Sequence, residues 1–149
     1  MKKNAFETEY KAYNKLAEQY RKAAENGDQA GVSKARAGYK AWEQELNAKG
    51  EAYGKVYRLY AEAQEVGTTY IDLHDCILDK DVASLIDSLR TYGIEKFTFS
   101  SGWSGSVETA WLFTQQGCRL EGIVEINSQH KKIMTDEYKK AHGYLFSVN

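Results

Sequence analysis

Apolar side chains recur at alternating spacings of three and four residues along the first part of the chain. This seven-residue repeat is typical of a helix that packs along another helix. Its first members are Phe6, Tyr10, Tyr13, Ala17, Tyr20 and Ala24. After a predicted turn and cap at Asn26-Gly27-Asp28, it resumes at Val32, Ala35, Tyr39, Trp42 and Leu46, and then at Tyr53, Val56, Tyr60 and Ala63. The pattern predicts a long helical hairpin.

The sequence does not determine where the second helix of this hairpin ends. An unbroken helix would run from about residue 29 to about residue 65, but it would contain Gly50 and Gly54. A glycine inside a helix costs about 1 kcal/mol relative to alanine. The sequence therefore leaves open whether the helix continues through Gly50.

A different pattern begins near residue 68, where short apolar runs alternate with helical ones. A strand is predicted at 70–73, and a helix follows from an N-cap at Asp79 to a stop at Gly93. The inward residues of that helix are Val82, Leu85, Ile86 and Leu89. The segment predicts a strand followed by a crossover helix.

The same order of elements follows a second time. We predict a strand at 96–100, a polar turn at 100–106 with Ser104 as helix cap, and a strand at 120–126. The helix between them is predicted to end at Gly117 and to turn its Val107, Ala110 and Trp111 inward. Strand, helix and strand joined so closely predict a partly parallel sheet.

The last residues are assigned to two short elements. Thr135 is the predicted cap of a helix carrying Tyr138 and Ala141, and a closing strand is predicted at 144–148. The direction of this strand remains open.

These elements predict an α+β or α/β protein with two domains. Residues 1–67 form a long, coiled-coil-like helical hairpin. Residues 68–149 form a small α/β domain with a mixed sheet of three to four strands and crossover helices. The two domains together account for the whole chain of 149 residues.

Composition narrows the function classes. The net charge of −1 favours neither nucleic-acid binding nor DNA mimicry, although a local basic patch would leave direct nucleic-acid binding open. Cys76 and Cys118 are the only cysteines, and no apolar run is long enough for a membrane span. The N-terminal residues also lack the apolar segment of a secretory signal. We expect a cytoplasmic protein with reduced thiols, no membrane association and no cofactor.

The polar turn at 100–106 is the first candidate site, because open α/β sheets bind ligands at the carboxyl ends of their strands. Its serines include Ser101 and Ser104. The turn matches neither the phosphate-loop nor the dinucleotide motif, and a capped turn is the simpler interpretation. It also resembles the nucleophile elbow G-x-S-x-G, except that Ser106 replaces the last glycine. The available histidine bases are His74, His130 and His142.

A second cluster, formed by Asp72, His74, Asp75 and Cys76, has residue types that ligate metals. No second ligand pair accompanies it, so we predict neither a metal site nor a catalytic residue. The third candidate is a set of aromatic partner anchors. Trp103 lies in the polar turn, while Tyr53 and Tyr60 lie on the distal helix and would serve only where that surface is left uncovered.

The segments FTFSS, SVETAWLF, GIVEIN and AHGYLFSV carry a resemblance. They cover roughly residues 68–149, and they resemble small mobile-element proteins of gut Firmicutes, from phages or plasmids, that are similar to type II anti-CRISPR inhibitors. The resemblance implies a non-enzymatic protein of the host bacterial cytoplasm. Its partner would be a CRISPR effector nuclease, alone or with its guide and DNA.

The resulting hypothesis is inhibition of a type II effector by protein–protein contact, through Trp103, Ser101, Ser104, Tyr53 and Tyr60. Two alternatives remain. One is a small α/β ligand-binding or hydrolytic enzyme that uses the turn between Ser100 and Ser106. The other is a self-assembling coiled-coil adaptor that forms a homodimer.

Overall fold

The structure is a computed structural model that describes residues 5–74, 79–101 and 104–149. Its chain divides into two compact units, Met1–Gly54 and Lys55–Asn149. The predicted boundary followed residue 67, at the end of the helical pattern. The observed division instead falls inside the third helix, so most of that helix belongs to the C-terminal unit.

The N-terminal unit contains the predicted helical hairpin, with α1 at Ala5–Glu25 and α2 at Gln29–Ala48. Between the two helices, Gly27 takes a left-handed φ of 64° that favours glycine. Oδ1 of Asp28 accepts a hydrogen bond of 2.9 Å from the backbone N–H of Gly31, which is the expected N-cap. The predicted turn and cap are confirmed.

The two helices pack through aromatic residues of the predicted repeat. The ring centroid of Tyr13 lies 5.6 Å from that of Tyr39 and 5.2 Å from that of Trp42. At Gly38 the helices approach closely, since an added Cβ would lie 2.5 Å from Cδ2 of Leu16. The repeat therefore identified the packed face at these positions, although at the end of α1 Ala23 is buried and the predicted Ala24 is exposed.

The helical pattern is interrupted at Gly50, which has a φ of +100°. Helix α3 begins directly afterwards and spans Glu51–Val66. Left-handed backbone ends a helix, and glycine adopts it without steric cost. The structure thus answers the open question: α2 stops before Gly50, whereas Gly54 is accommodated inside α3.

The C-terminal unit contains most of α3 and a four-stranded mixed sheet. Its strands are β1 (Ile71–Leu73), β2 (Lys96–Phe99), β3 (Arg119–Lys131) and β4 (Tyr138–Ser147). The order across the sheet is β1-β2-β4-β3. Strands β1 and β2 are parallel, and β4 pairs antiparallel with both β2 and β3. The predicted mixed sheet is confirmed, and the direction of its closing strand is now known.

One helix connects β1 to β2, and a second helix connects β2 to β3. The first of them, α4, spans Val82–Thr91 and buries all four of its predicted inward residues. Asp79 does not cap it, because Asp79 begins a 3₁₀ turn at Asp79–Asp81 and Asp81 occupies the cap position. The carboxylate of Asp79 instead accepts a hydrogen bond of 2.9 Å from Oγ1 of Thr109.

Helix α5 spans Ser106–Gln115, and two predictions for it are wrong. Gly105 rather than Ser104 occupies the cap position, and no side chain caps the helix there. Thr109 and Phe113 are the buried residues, while Trp111 is 60 % exposed. Because Phe113 contacts three phenylalanine rings of the sheet, the helix turns that side inward.

The short helix predicted after Thr135 is also wrong. Residues 138–147 form strand β4, whose pairing with β3 extends out to Lys131 opposite Tyr138. The connecting turn is closed by a hydrogen bond of 2.8 Å from the N–H of Lys132 to the carbonyl of Glu137. Hydrogen bonding to the backbone groups of the neighbouring strand β3 determined the structure of this segment, although its residues have a helical spacing.

Candidate functional site

An open cleft of about 320 Å³ lies in the C-terminal unit, where β1 and β2 end. The residues around it are mostly polar and come from all four strands or the segments that follow them. They are Asp72, His74, Ser100, Ser101, Ser128, Gln129, His130, Ala141 and His142. We call this feature the histidine cleft. Its position agrees with the rule that α/β sheets bind ligands at the carboxyl ends of parallel strands.

One wall of the cleft is built by the β3–β4 hairpin, which is longer than its neighbours. The last residue of β2, Phe99, lies opposite Tyr144. Strands β3 and β4 continue pairing beyond that point, with Glu125 opposite His142 and Ile126 opposite Ala141. The unequal strand lengths therefore place His130 and His142 beside residues that follow the shorter strands.

Asp72 is the central acid of the cleft. Its Oδ1 accepts a hydrogen bond of 2.7 Å from Oγ1 of Thr98, and its Oδ2 accepts one of 2.6 Å from Oγ of Ser100. Burial raises the pKa of the Asp72 carboxyl above its ordinary value, and these two hydrogen bonds oppose the rise. A partly buried carboxyl with two hydroxyl donors is a rigid polar floor for a ligand.

His74 lies next to this acid and contacts helix α3. Its Nε2 lies 3.2 Å from Oε1 of Glu62, and both side chains are partly exposed. Helix α3 also accepts a hydrogen bond of 2.8 Å at the carbonyl of Val66, from Nδ2 of Asn127 on β3. These contacts explain why most of α3 belongs with the sheet rather than with the helical hairpin.

The nucleophile-elbow motif of residues 102–106 would place its nucleophile at Ser104, which is exposed and is not among the residues that line the cleft. In a serine hydrolase the serine hydroxyl donates to a histidine, which is in turn oriented by a carboxylate. Here Ser100 donates directly to Asp72, and His74 pairs with Glu62. The hydrogen bond of Ser100 to a carboxylate is therefore not the serine–histidine contact of such a triad.

The residues predicted to form the site do not all lie in the histidine cleft. Ser101 lines the cleft, whereas Ser104 is exposed and is not among the lining residues. Gly102 and Trp103 lie outside the described residues, as do Asp75 and Cys76 of the metal-type cluster. Within the described ranges, no group of three or more His, Cys, Asp or Glu side chains could hold a metal ion.

Tyr53 and Tyr60 were predicted to contact a partner only if the surface of their helix is left uncovered. Tyr53 is only 7 % exposed, and its ring centroid lies 4.9 Å from that of Phe6. Tyr60 is half-buried. The condition for a partner role is therefore not met at Tyr53, because this side chain is already buried in the folded chain.

A second surface was missed because the orientation of α5 was predicted wrongly. Val107 is 77 % exposed and Trp111 is 60 % exposed, and their spacing of four residues places both on one side of the helix. We call this pair the α5 ridge. A tryptophan exposed to this extent is a usual anchor of protein interfaces.

The three histidines were recognised as available bases, but nothing in the sequence brought them together. His130 and His142 line the same cleft as His74 because β3 and β4 pair beyond the end of β2. The missed signal was the spacing of the last two apolar runs. They are separated by polar residues that include Thr135 and Asp136, which is typical of a hairpin.

Comparison with known proteins identifies one domain. No curated protein and no solved structure matches the chain. Across the described residues, no helix combines the length and the apolar character needed to cross a bilayer. A family model described as a domain of unknown function, DUF7698, matches residues 55–148, which coincide with the C-terminal unit. The chain belongs to the DUF7698 family.

Proposed function

We propose that this protein is a non-enzymatic binding protein that acts through protein–protein contact at the α5 ridge. The observation that supports this is the exposure of Trp111 and Val107, one helical turn apart. Large apolar side chains grouped on a surface mark interaction sites, and tryptophan is enriched among the residues that dominate binding energy.

The partner we propose is a type II CRISPR effector nuclease, and the resemblance of residues 68–149 is the reason for choosing it. In this proposal the protein is a mobile-element inhibitor in the cytoplasm of the host bacterium. The net charge of −1 favours shape and aromatic contacts over electrostatic mimicry of DNA.

The decisive experiment titrates the protein into a cleavage reaction containing a purified type II effector, its guide RNA and a target DNA. Complex formation is followed on the same samples by size-exclusion chromatography. We expect dose-dependent loss of cleavage together with a stable complex. Intact cleavage and no complex across several type II effectors would exclude this class of partner.

A variant pair then tests the surface. Trp111→Ala should weaken the complex by about 2 kcal/mol, roughly 30-fold in Kd, if Trp111 is a central anchor. The matched control is Leu120→Ser, because Leu120 is 56 % exposed but lies on β3. Equal affinity of Trp111→Ala and the unmodified protein would place the interface elsewhere.

The second candidate function is a small-ligand site or hydrolase in the histidine cleft. The three histidines around Asp72 favour it. A thermal-shift screen of phosphates, carboxylates and sugars tests the ligand-binding form. The hydrolytic form would use the turn between Ser100 and Ser106, whose elbow motif places the nucleophile at Ser104. Ser104→Ala should then abolish turnover while the fold remains intact, whereas it should change little in a protein that only binds a partner.

Self-assembly through the helical hairpin predicts a different solution mass. An obligate coiled-coil adaptor cannot be a monomer at working concentration. Light scattering over a range of concentrations therefore separates this alternative from the first two.

A further inference from the structure

The β3–β4 hairpin ends in an apolar tip. Ile133 is 86 % exposed and Met134 is 99 % exposed. Met134 also has a φ of 60°, the only left-handed φ of a non-glycine residue within the described ranges. Neither side chain contributes to a core, and methionine gains nothing from a left-handed position. The tip therefore has features that folding alone does not explain.

Lysines surround this tip on both strands. Residues 130–140 contain four lysines and two acidic residues, although the whole chain has a net charge of −1. The lysines are Lys131, Lys132, Lys139 and Lys140. The hairpin thus concentrates positive charge at one end of an otherwise almost neutral protein.

The two acidic residues of the hairpin form only weak ion pairs with its lysines. Nζ of Lys132 lies 3.0 Å from Oε2 of Glu137, and Nζ of Lys131 lies 3.9 Å from Oδ1 of Asp136. All four side chains are about half exposed or more. Exposed ion pairs of this kind are weak, so the ammonium groups remain available to exchange a carboxylate for a phosphate.

We propose that residues 128–140 form a DNA-binding hairpin that takes duplex DNA without sequence preference. The lysines of both strands contact backbone phosphates, and Ile133 and Met134 lie against the groove. A two-stranded ribbon fits the major groove, which is about 12 Å wide. Exposed isoleucine and methionine are also among the side chains that press between base steps in the minor groove. This inference does not depend on the proposed nuclease partner.

A lipid surface fits the same chemistry less well. A single myristoyl chain binds membranes only marginally, with an association constant of about 10⁴ M⁻¹. The side chains of Ile133 and Met134 together contain fewer heavy atoms than that chain. Binding to phosphates along a duplex requires no such apolar burial, because counterion release supplies the free energy.

The test is fluorescence anisotropy of a labelled duplex of about 20 base pairs, which is about two helical turns, with the full chain and no nuclease present. If three lysines each neutralise one phosphate, affinity should fall roughly 40-fold between 50 and 200 mM salt. Lys139→Gln/Lys140→Gln should weaken binding and lower the salt slope by about 2. The matched control, Lys34→Gln/Lys40→Gln on the exposed side of α2, should leave both unchanged.

The tip is tested separately. Ile133→Ser/Met134→Asn should weaken binding with an unchanged salt slope, because no charge is removed and asparagine tolerates the left-handed position. Circular dichroism shows that each variant is folded. The absence of DNA binding at 50 mM salt would overturn the proposal. So would equal effects of the hairpin and α2 lysine pairs, or binding to phosphatidylserine vesicles but not to DNA.

Discussion

The two faces of the β1–β2 pair carry different chemistry, although successive residues of one strand supply both. Phe97 and Phe99 point to one face, where the ring centroid of Phe113 lies 5.1 and 5.2 Å from theirs. Thr98, between them, points to the other face and donates to Asp72. Since side chains alternate along a strand, one tripeptide supplies both a dry core and the floor of a polar cleft.

The two faces differ in how they contribute to stability. The aromatic face excludes water and determines how tightly the unit folds, whereas the polar face keeps a carboxyl and three histidines near solvent. Substitutions on the first face should therefore change the free energy of unfolding. Those on the second should change it less, and at Asp72 they should change how stability depends on pH.

The largest effect is expected for Phe113→Ala. Phe113 is fully buried and contacts the rings of Phe97, Phe99 and Phe146. Loss of a buried phenylalanine should lower the free energy of unfolding by about 3–5 kcal/mol, measured by urea denaturation. A loss below about 1 kcal/mol would show that the aromatic face is not the main core of the unit.

A smaller effect is expected on the polar face for Gly143→Ala. An added Cβ would lie 3.0 Å from Cβ of Thr98 and 3.4 Å from Cδ1 of Ile126. Because the Cβ of Thr98 cannot move without its strand, we expect a loss of about 1–3 kcal/mol in the same assay. Gly122→Ala is the control, since nothing lies within 4 Å of its added Cβ. Equal losses in both variants would contradict the close packing seen at Gly143.

Asp72→Asn should change how stability depends on pH. Burial raises the pKa of Asp72 in the folded chain. The stabilising contribution of the protonated carboxyl is therefore fully present below the unfolded pKa and is lost as pH rises through the folded pKa. Relative to Asp72→Asn, the unmodified protein should gain stability as pH falls from about 7 to about 4. A constant difference across this range would contradict the raised pKa, and Asp136→Asn is the exposed control.

The smallest effect on stability is expected for Trp111→Ala, on the outer side of the helix that covers the aromatic face. Because Trp111 is 60 % exposed, the free energy of unfolding should change by no more than about 0.5 kcal/mol. Comparison with Phe113→Ala, two residues away, is direct, since both truncate an aromatic side chain on α5. A loss as large as that of Phe113→Ala would mean that Trp111 is a core residue.

Much of the secondary structure could be predicted from local patterns. The repeat from Phe6 to Leu46 identified α1 and α2, and the spacing of Val82, Leu85, Ile86 and Leu89 identified the buried side of α4. These elements have one apolar side, so residue spacing alone determines which side is buried. Helix α5 is different, since it carries exposed apolar residues and a buried threonine.

The candidate site was predicted only in part. Ser101 lines the cleft, as expected for a residue that follows a parallel strand. The wall formed by the β3–β4 hairpin was not predicted, because residues 135–141 have a helical spacing of apolar residues as well as the start of a strand. A single sequence does not show which neighbour will supply backbone partners.

The sequence by itself determined the helical hairpin, the two crossover helices, the parallel strands and the left-handed glycines that follow α1, α4 and α5. Each depends on residues close together along the chain. Only the tertiary structure decided that β4 lies between β2 and β3, that three histidines share one cleft, and that Trp111 faces outward. These outcomes depend on pairing and packing between distant segments, whose relative free energies no local pattern contains.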